Sequence, residues 1–131
     1  MKRSLFFLIA VTFLLQSCAK IFYSADAFPL ARAQKVIAIA PPKVAIAARK
    51  NIDGVALIEQ QKSESVNFQR EMYSWMLKRK MQGKIYVEVQ DVETTNAKLA
   101  NAGFDNGQLL TPFDLCSILG VDGIMTSNYS L

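Results

Sequence analysis

The stretch KVIAIAPPKVAIAA, residues 35–48, decides the fold predicted for this chain. Val36 to Ala40 is a short apolar run rich in β-branched residues, which is typical of a strand buried on both faces. Pro41 and Pro42 have no N–H to donate to a neighbouring strand, so this strand is expected to stop there. The extended conformation is expected to resume over residues 44–48.

A long helix is predicted next, from about Val55 to Met81, with Ser63 and Ser65 marking a bend. Gly83 lies where a helix commonly ends on a glycine. Four polar residues fall within about 60° of one another at 100° per residue: Asn67, Glu71, Ser74 and Lys78. Apolar residues fill most of the remaining circumference. A helix with such a wide apolar face is expected to pack against a sheet and against another element or a partner.

The last turns of this helix contain the residues we consider for partner binding. Trp75 has three methionines nearby, and the group forms either an exposed groove or, as we expect, part of the core. The basic run Lys78, Arg79 and Lys80 either binds acidic lipid or polymer or, more simply, interacts favourably with the helix macrodipole.

The rest of the chain continues to alternate strand and helix patterns. A strand is predicted at 84–92, a short helix capped by Thr94-Thr95-Asn96, a second short helix capped by Thr111, and a last strand from Gly123 to Tyr129. Alternation of this kind predicts an α/β fold. We expect a two-layer sandwich with a mixed or parallel sheet of about three strands, one long helix and two short ones. The last strand is expected to leave an open edge for further chain or a partner.

The N-terminal residues predict secretion and lipid attachment. Lys2 and Arg3 precede an apolar run of eleven residues, Leu5–Leu15, which is too short to span a membrane as a helix. Ser17 and Cys18 follow it with the spacing of a bacterial lipobox, which this segment resembles. The alternative is an ordinary secretory leader in which Cys18 has no special role.

The predicted organisation is therefore a signal peptide (residues 1–17), a lipidated tether (18–34) and an α/β domain (35–131). Ala19 follows the cysteine where an aspartate would signal inner-membrane retention. The resemblance to enterobacterial sorting rules thus implies an outer-membrane lipoprotein facing the periplasm. Phe22, Tyr23 and Phe28 lie close to the lipid, where they either enter the membrane interface or pack on the domain.

Composition removes several classes of activity. The chain of 131 residues has no histidine, which removes Ser-His-Asp catalysis, Cys-His catalysis and histidine metal sites. Its net charge of +4 falls to about +2 without Lys2 and Arg3, too little to predict nucleic-acid binding. With Cys18 acylated, Cys116 has no disulfide partner and no histidine to activate it. No cofactor or metal is expected.

One acidic group supports an alternative activity. Asp91 and Glu93 are two residues apart on a predicted strand, and Asp122 opens another strand. Three carboxylates near strand ends could bind a hard cation or act as an acid/base pair. The sequence therefore leaves open an envelope enzyme or metal-binding protein, although strand ends are more often simply solvated.

Five segments carry a family resemblance: KVIAIAPPKVAI, FQREMYSWMLKRKMQGK, VEVQDVETTNAKLANAG, TPFDLC and LGVDGIMTSNYSL. Together they resemble a family of secreted lipoproteins from Bacteroidetes-type bacteria. More distantly, the order of elements resembles the α/β domain of envelope lipoproteins such as the TolB amino-terminal domain, the curli secretion lipoprotein and the penicillin-binding-protein activator lipoprotein.

This resemblance implies binding or assembly in the cell envelope and supplies no catalytic residues. We therefore expect a non-catalytic binding or assembly factor, anchored through lipid on Cys18, with an envelope protein partner or a second copy as its target. A structural subunit of an envelope oligomer is a further alternative.

Overall fold

The computed structural model describes residues 23–47, 53–104 and 110–131. Its helices are α1 (Ala27–Ala33), α2 (Gly54–Met81), α3 (Val92–Asn101) and α4 (Pro112–Leu119). Its strands are β1 (Val36–Ile39), β2 (Lys43–Ala45), β3 (Glu88–Val89), β4 (Gly123–Met125) and β5 (Asn128–Ser130). The predicted leader (1–17) and Cys18 lie outside the described residues.

The central sheet has three parallel strands in the order β3-β1-β4. Val36 lies opposite Glu88 on one side of β1, and Ile37 lies opposite Gly123 on the other. The α/β class and the sheet of about three strands are confirmed, and of the two arrangements predicted for the sheet the parallel one is present.

Helices cover both faces of this sheet. Ile37 and Ile39 pack with Met76 of α2 on one face. Ala38 packs on the other face with Leu99, Leu115 and Leu119, which belong to α3 and α4. The layers are therefore helix, sheet, helices rather than the two expected. The strand order explains this, because right-handed crossovers from β1 to β3 and from β3 back to β4 run over opposite faces.

β1 ends at Ile39, just before Pro41 and Pro42, as predicted, and strand pairing resumes after them. Ile39 lies opposite Met125, and Lys43 lies opposite Asn128, so the β1–β2 side contains one more residue than the β4–β5 side. Such an extra residue is a bulge, which accommodates prolines. The parallel pair β2–β5 continues beyond it. The single last strand predicted for 123–129 is accordingly two short strands.

Helix α2 is continuous from Gly54 to Met81 and begins at Asp53, whose side chain caps it. Ser63 and Ser65, where a bend is predicted, lie within this unbroken helix. Ser65 is buried, and its hydroxyl donates to the carbonyl oxygen of Pro42 at 2.6 Å. The four residues of the predicted polar face are all exposed. Gly83 has a positive φ of 68° just after the helix, as predicted.

The strand predicted at 84–92 is reduced to Glu88–Val89. It ends early because Asp91 caps α3, accepting a hydrogen bond from the Thr94 N–H at 2.7 Å. The helix cap therefore lies at Asp91, three residues before the predicted Thr94-Thr95-Asn96.

The predicted tether contains α1, a short helix with no buried residue. Tyr23 and Phe28 are exposed, with ring centroids 4.9 Å apart, so they pack on each other and not in the core. Phe22 lies outside the described residues. No helix in the described part combines the length and hydropathy needed to cross a membrane.

Candidate interaction surface

Trp75 is an exposed side chain, not a core one. Its exposed fraction is 54%, and the Arg79 guanidinium carbon lies 4.8 Å from the centre of its ring. The sheet-facing side of α2 contains Ser65, Gln69 and Met76. Because Trp75 precedes Met76 by one residue, it is turned about 100° away from the sheet. The core interpretation of Trp75 is therefore wrong.

An apolar groove of about 320 Å³ runs beside Trp75. Its walls are Glu71, Met72, Trp75 and Met76 of α2, together with Met125 of β4. The groove therefore lies between the C-terminal half of α2 and β4, and we call it the Trp75 groove.

A second cleft, of about 490 Å³, borders β4 on the opposite face of the sheet. It is lined in part by Phe113 and Cys116 of α4 and by Ile124 of β4. Phe113 is 78% exposed. We call this opening the Phe113 cleft. A large apolar side chain is thus presented to solvent on each side of the same strand.

Between the two openings runs an unprotected strand edge. β4 pairs with β1 on one side, and no strand of the described part pairs with its other side. Residues 123–131, which we call the β4–β5 edge, contain no charged residue and no proline. Edge strands are commonly protected from association by lysines, prolines or bulges. This edge has neither charge nor proline, so it is chemically suited to pairing.

The four residues predicted for partner binding do not act as one group. Trp75 and Arg79 lie together beside the Trp75 groove. Lys80 forms an ion pair with Glu88, and Lys78 is exposed on the polar face of α2. All three cations occupy the last turn of the helix, where the macrodipole favours positive charge.

The structure separates the three carboxylates of the alternative site. Asp91 follows β3 and caps α3, whereas Asp122 precedes β4, so they lie at opposite ends of a parallel sheet. Glu93 is exposed, and its carboxylate lies 3.4 Å from the guanidinium of Arg70. No group of three acidic or thiol side chains that could hold a metal occurs among residues 23–47, 53–104 and 110–131.

Both aspartates have structural partners. The Asp122 carboxylate accepts the Val36 N–H at 2.9 Å and the Lys35 N–H at 2.8 Å, and these bonds lower its pKa. Hydrogen bonds from Thr94 lower the pKa of Asp91 in the same way. Both carboxylates are therefore held as anions that fix the backbone, which is the opposite of what a proton donor at neutral pH requires.

A further opening, of about 660 Å³, lies at the carboxyl end of β1 between α2 and α3. Ligands of open parallel sheets usually bind near this end. Two of its polar side chains, Ser65 and Asn96, are already engaged, however. Ser65 bonds Pro42, and the side-chain amide of Asn96 exchanges two hydrogen bonds of 2.9 Å with Gln69. No unpartnered buried polar side-chain atom remains in the described part to recognise a ligand.

Comparisons with protein-family models, with curated proteins and with solved structures found no significant match. What this structure defines is therefore a class of fold, a small parallel α/β domain, with an exposed apolar surface around one strand edge.

Sequence reasoning missed part of this surface. The sequence places Glu71 among four polar residues of a helix and does not single out Phe113. One signal was available, since Glu71, Trp75 and Arg79 are spaced i, i+4, i+8 and so lie along one side of α2. The uncharged run 123–131 was another, because it marks an edge that lacks protection. That these two features are neighbours could not be read from the sequence.

Proposed function

We propose that this chain is a membrane-anchored lipoprotein that acts without catalysis, as a binding or assembly factor in the bacterial cell envelope. The observation that carries the binding role is the exposure of Trp75 and Phe113 on the two sides of the β4–β5 edge. Exposed apolar side chains beside an open strand edge are suited to an interface with another chain. Tryptophan and arginine, moreover, are among the residues that contribute most to protein interfaces.

The anchoring role is supported by the lipobox-like residues that end at Cys18. Each buried methylene contributes about 0.8 kcal/mol to membrane attachment, so one acyl chain holds weakly and two or three hold durably. Helix α1 buries none of its residues. A segment of this kind, placed between Cys18 and β1, is suited to separate the domain from the bilayer. Ala19 supports the outer membrane and the periplasmic face.

The first experiment tests attachment. Cys18→Ala is expected to release the protein from membranes, because the thiol that receives the lipid is gone. Intact-mass measurement of the unsubstituted protein is expected to show an acylated product that lacks residues 1–17. Cys116→Ser is the matched control and is expected to remain in the membrane fraction. Unchanged fractionation of Cys18→Ala would refute lipid anchoring.

The second experiment tests binding. Crosslinking in intact cells followed by pull-down is expected to capture partner chains with the unsubstituted protein and to lose them with Trp75→Ala. Stability is expected to change little, since Trp75 is largely exposed. Tyr86→Ala is the matched control, because Tyr86 is 89% exposed and lies away from both openings. Equal capture by both variants would contradict a binding role for the Trp75 groove.

A further inference from the structure

We propose that residues 123–127 of the β4–β5 edge pair with the same residues of a second copy of this chain. The two edges run antiparallel about a two-fold axis near Met125 and join two three-stranded sheets into one. This inference deepens the proposed function, since it names the partner of the Trp75 groove. It depends on that groove being a docking surface and not on lipid at Cys18.

The backbone of the edge is oriented for pairing. Met125 accepts the Ala40 N–H at 2.9 Å and Ser127 accepts the Lys43 N–H at 3.0 Å, so these two residues direct their carbonyl groups toward the β1–β2 side. Successive residues of a strand direct their hydrogen-bonding groups to opposite sides. The N–H and C=O groups of Ile124 and Thr126 therefore point outward on either side of Met125, where another strand can receive them.

The side chains of β4 match the two openings. Met125 lines the Trp75 groove, and Ile124 lines the Phe113 cleft. A two-fold axis perpendicular to the sheet places the α2 faces of both copies on one side of the joined sheet and the α4 faces of both copies on the other. Met125 of the second copy then enters the Trp75 groove, and its Ile124 enters the Phe113 cleft. Because successive side chains of β4 point to opposite faces of the sheet, the strand of the second copy supplies one apolar side chain to each opening.

The charges along α2 favour a second copy over an unrelated strand. The two α2 helices would be antiparallel, with Trp75 of each nearest the axis. Glu71 and Arg79 are equally far from Trp75 along the helix, so Glu71 of one copy faces Arg79 of the other. Within one helix these two residues are about 12 Å apart along the axis and do not pair. Both cross-copy contacts are therefore attractive.

The dimensions agree with this arrangement. Neighbouring strands lie about 4.8 Å apart, so the two β1 strands would be about 14 Å apart across the paired edges. The α2 helices over those strands would be too far apart to pack directly, because the axes of packed helices lie about 8–10 Å apart. The Trp75 side chains of the two copies would fill the space between the two α2 helices, which explains why Trp75 is exposed in a single copy.

The test is the assembly state of the full chain, measured by sedimentation equilibrium in density-matched detergent. The unsubstituted protein is expected to be a dimer. Glu71→Arg alone and Arg79→Glu alone each turn two attractive contacts into two repulsive ones, and each is expected to weaken dimerisation roughly 30-fold. A one-to-one mixture of the two variants is expected to restore the dimer, since a mixed pair again has opposite charges at both contacts.

Two controls change the same charges outside the predicted contacts: Glu59→Arg near the start of α2 and Lys78→Glu on its polar face. Both are expected to dimerise normally. A monomeric unsubstituted chain, or variants that fail to recombine when mixed, would overturn the inference. The proposed function fails separately, by unchanged membrane fractionation of Cys18→Ala or by equal partner capture with Trp75→Ala and Tyr86→Ala. Capture of another protein by a monomeric chain would leave binding intact and refute self-pairing.

Discussion

At the scale of single residues, three aspartates of this protein serve its backbone. Asp122 receives two N–H groups at the start of β1, and Asp91 receives one at the start of α3. Asp114 and Thr111 satisfy each other's N–H groups at the start of α4. Hydrogen bonds, chiefly from Thr111, lower the pKa of Asp114 as well. Each of these carboxylates replaces a partner that a strand or helix end otherwise lacks.

The pH dependence of stability follows from these bonds. Because the pKa of Asp122 is lower in the folded protein than its ordinary value of 3.8, its contribution is complete above that value. It is lost as pH falls through the lowered pKa. Asp91 and Asp114 act in the same direction. We therefore expect the free energy of unfolding to decrease on acidification below about pH 4.

The measurement is urea denaturation of the unsubstituted protein and of Asp122→Asn between pH 7 and pH 2. Asp122→Asn is expected to be less stable than the unsubstituted protein at neutral pH. The difference is expected to shrink in acid, because protonation removes the Asp122 charge from the unsubstituted protein. Glu59→Gln, which removes a charge from an exposed position on α2, controls for net charge. A constant difference between the Asp122→Asn variant and the unsubstituted protein across this range would contradict the assignment.

At the scale of elements, a pair of side-chain amides joins α2, β1 and α3. Gln69 is fully buried, and its amide nitrogen donates to the carbonyl oxygen of Ile39 at 2.7 Å and to Asn96 at 2.9 Å. β3 has already turned into α3 beside this part of β1, so it supplies no N–H for Ile39. The amide of Gln69 takes the place of the missing strand.

We therefore expect Gln69→Leu to lower the free energy of unfolding by about 2–4 kcal/mol, since it leaves the Ile39 carbonyl and the Asn96 side chain without a buried partner. Chemical denaturation measures this. Asn67→Leu, an exposed change on the same helix, is expected to cost no more than about 0.5 kcal/mol. Adding Asn96→Leu to Gln69→Leu is expected to cost less than Asn96→Leu alone, and simple additivity would argue against the amide pair.

At the scale of the whole molecule, we expect the free energy of local opening to be highest in the β3-β1-β4 sheet and lower in the β2–β5 pair. The residues of β1 from Ile37 to Ile39 are buried between helical layers. In β2 and β5 the first and last residues of each strand are exposed. Local opening requires less free energy where few apolar side chains are buried. The domain is thus expected to open from the β2–β5 end while its central sheet persists.

Amide hydrogen exchange tests this directly. The Ala40 N–H, bonded to Met125 at 2.9 Å, is expected to exchange only through global unfolding. The Leu131 N–H, bonded to Ala45 at 2.8 Å, is expected to exchange at least about 100-fold faster through local opening. The Arg79→Glu variant is the sample to use, because pairing between copies would add protection. Equal exchange rates at the two positions would contradict this distribution of stability.

Local sequence patterns determine much of this fold. The apolar run at 36–40, the four-residue polar face of α2 and the cap at Thr111 depend on neighbours within a few residues, so their signals are complete in the sequence. The same applies to the lipobox-like residues before Cys18, whose role stays a prediction. By contrast, the bulge at Pro41-Pro42 and the shortening of β3 depend on which strand lies alongside, and periodicity does not reveal that.

The sequence by itself determined the α/β class, the order of elements and the absence of histidine chemistry, because these follow from composition and local hydrogen bonding. Only the tertiary structure decided that helices cover both faces of the sheet, that Asp91 and Asp122 lie at opposite ends of it, and that Trp75 is exposed beside the β4–β5 edge. Each of these depends on contacts between segments distant in the chain, and such contacts are set by how whole elements pack together.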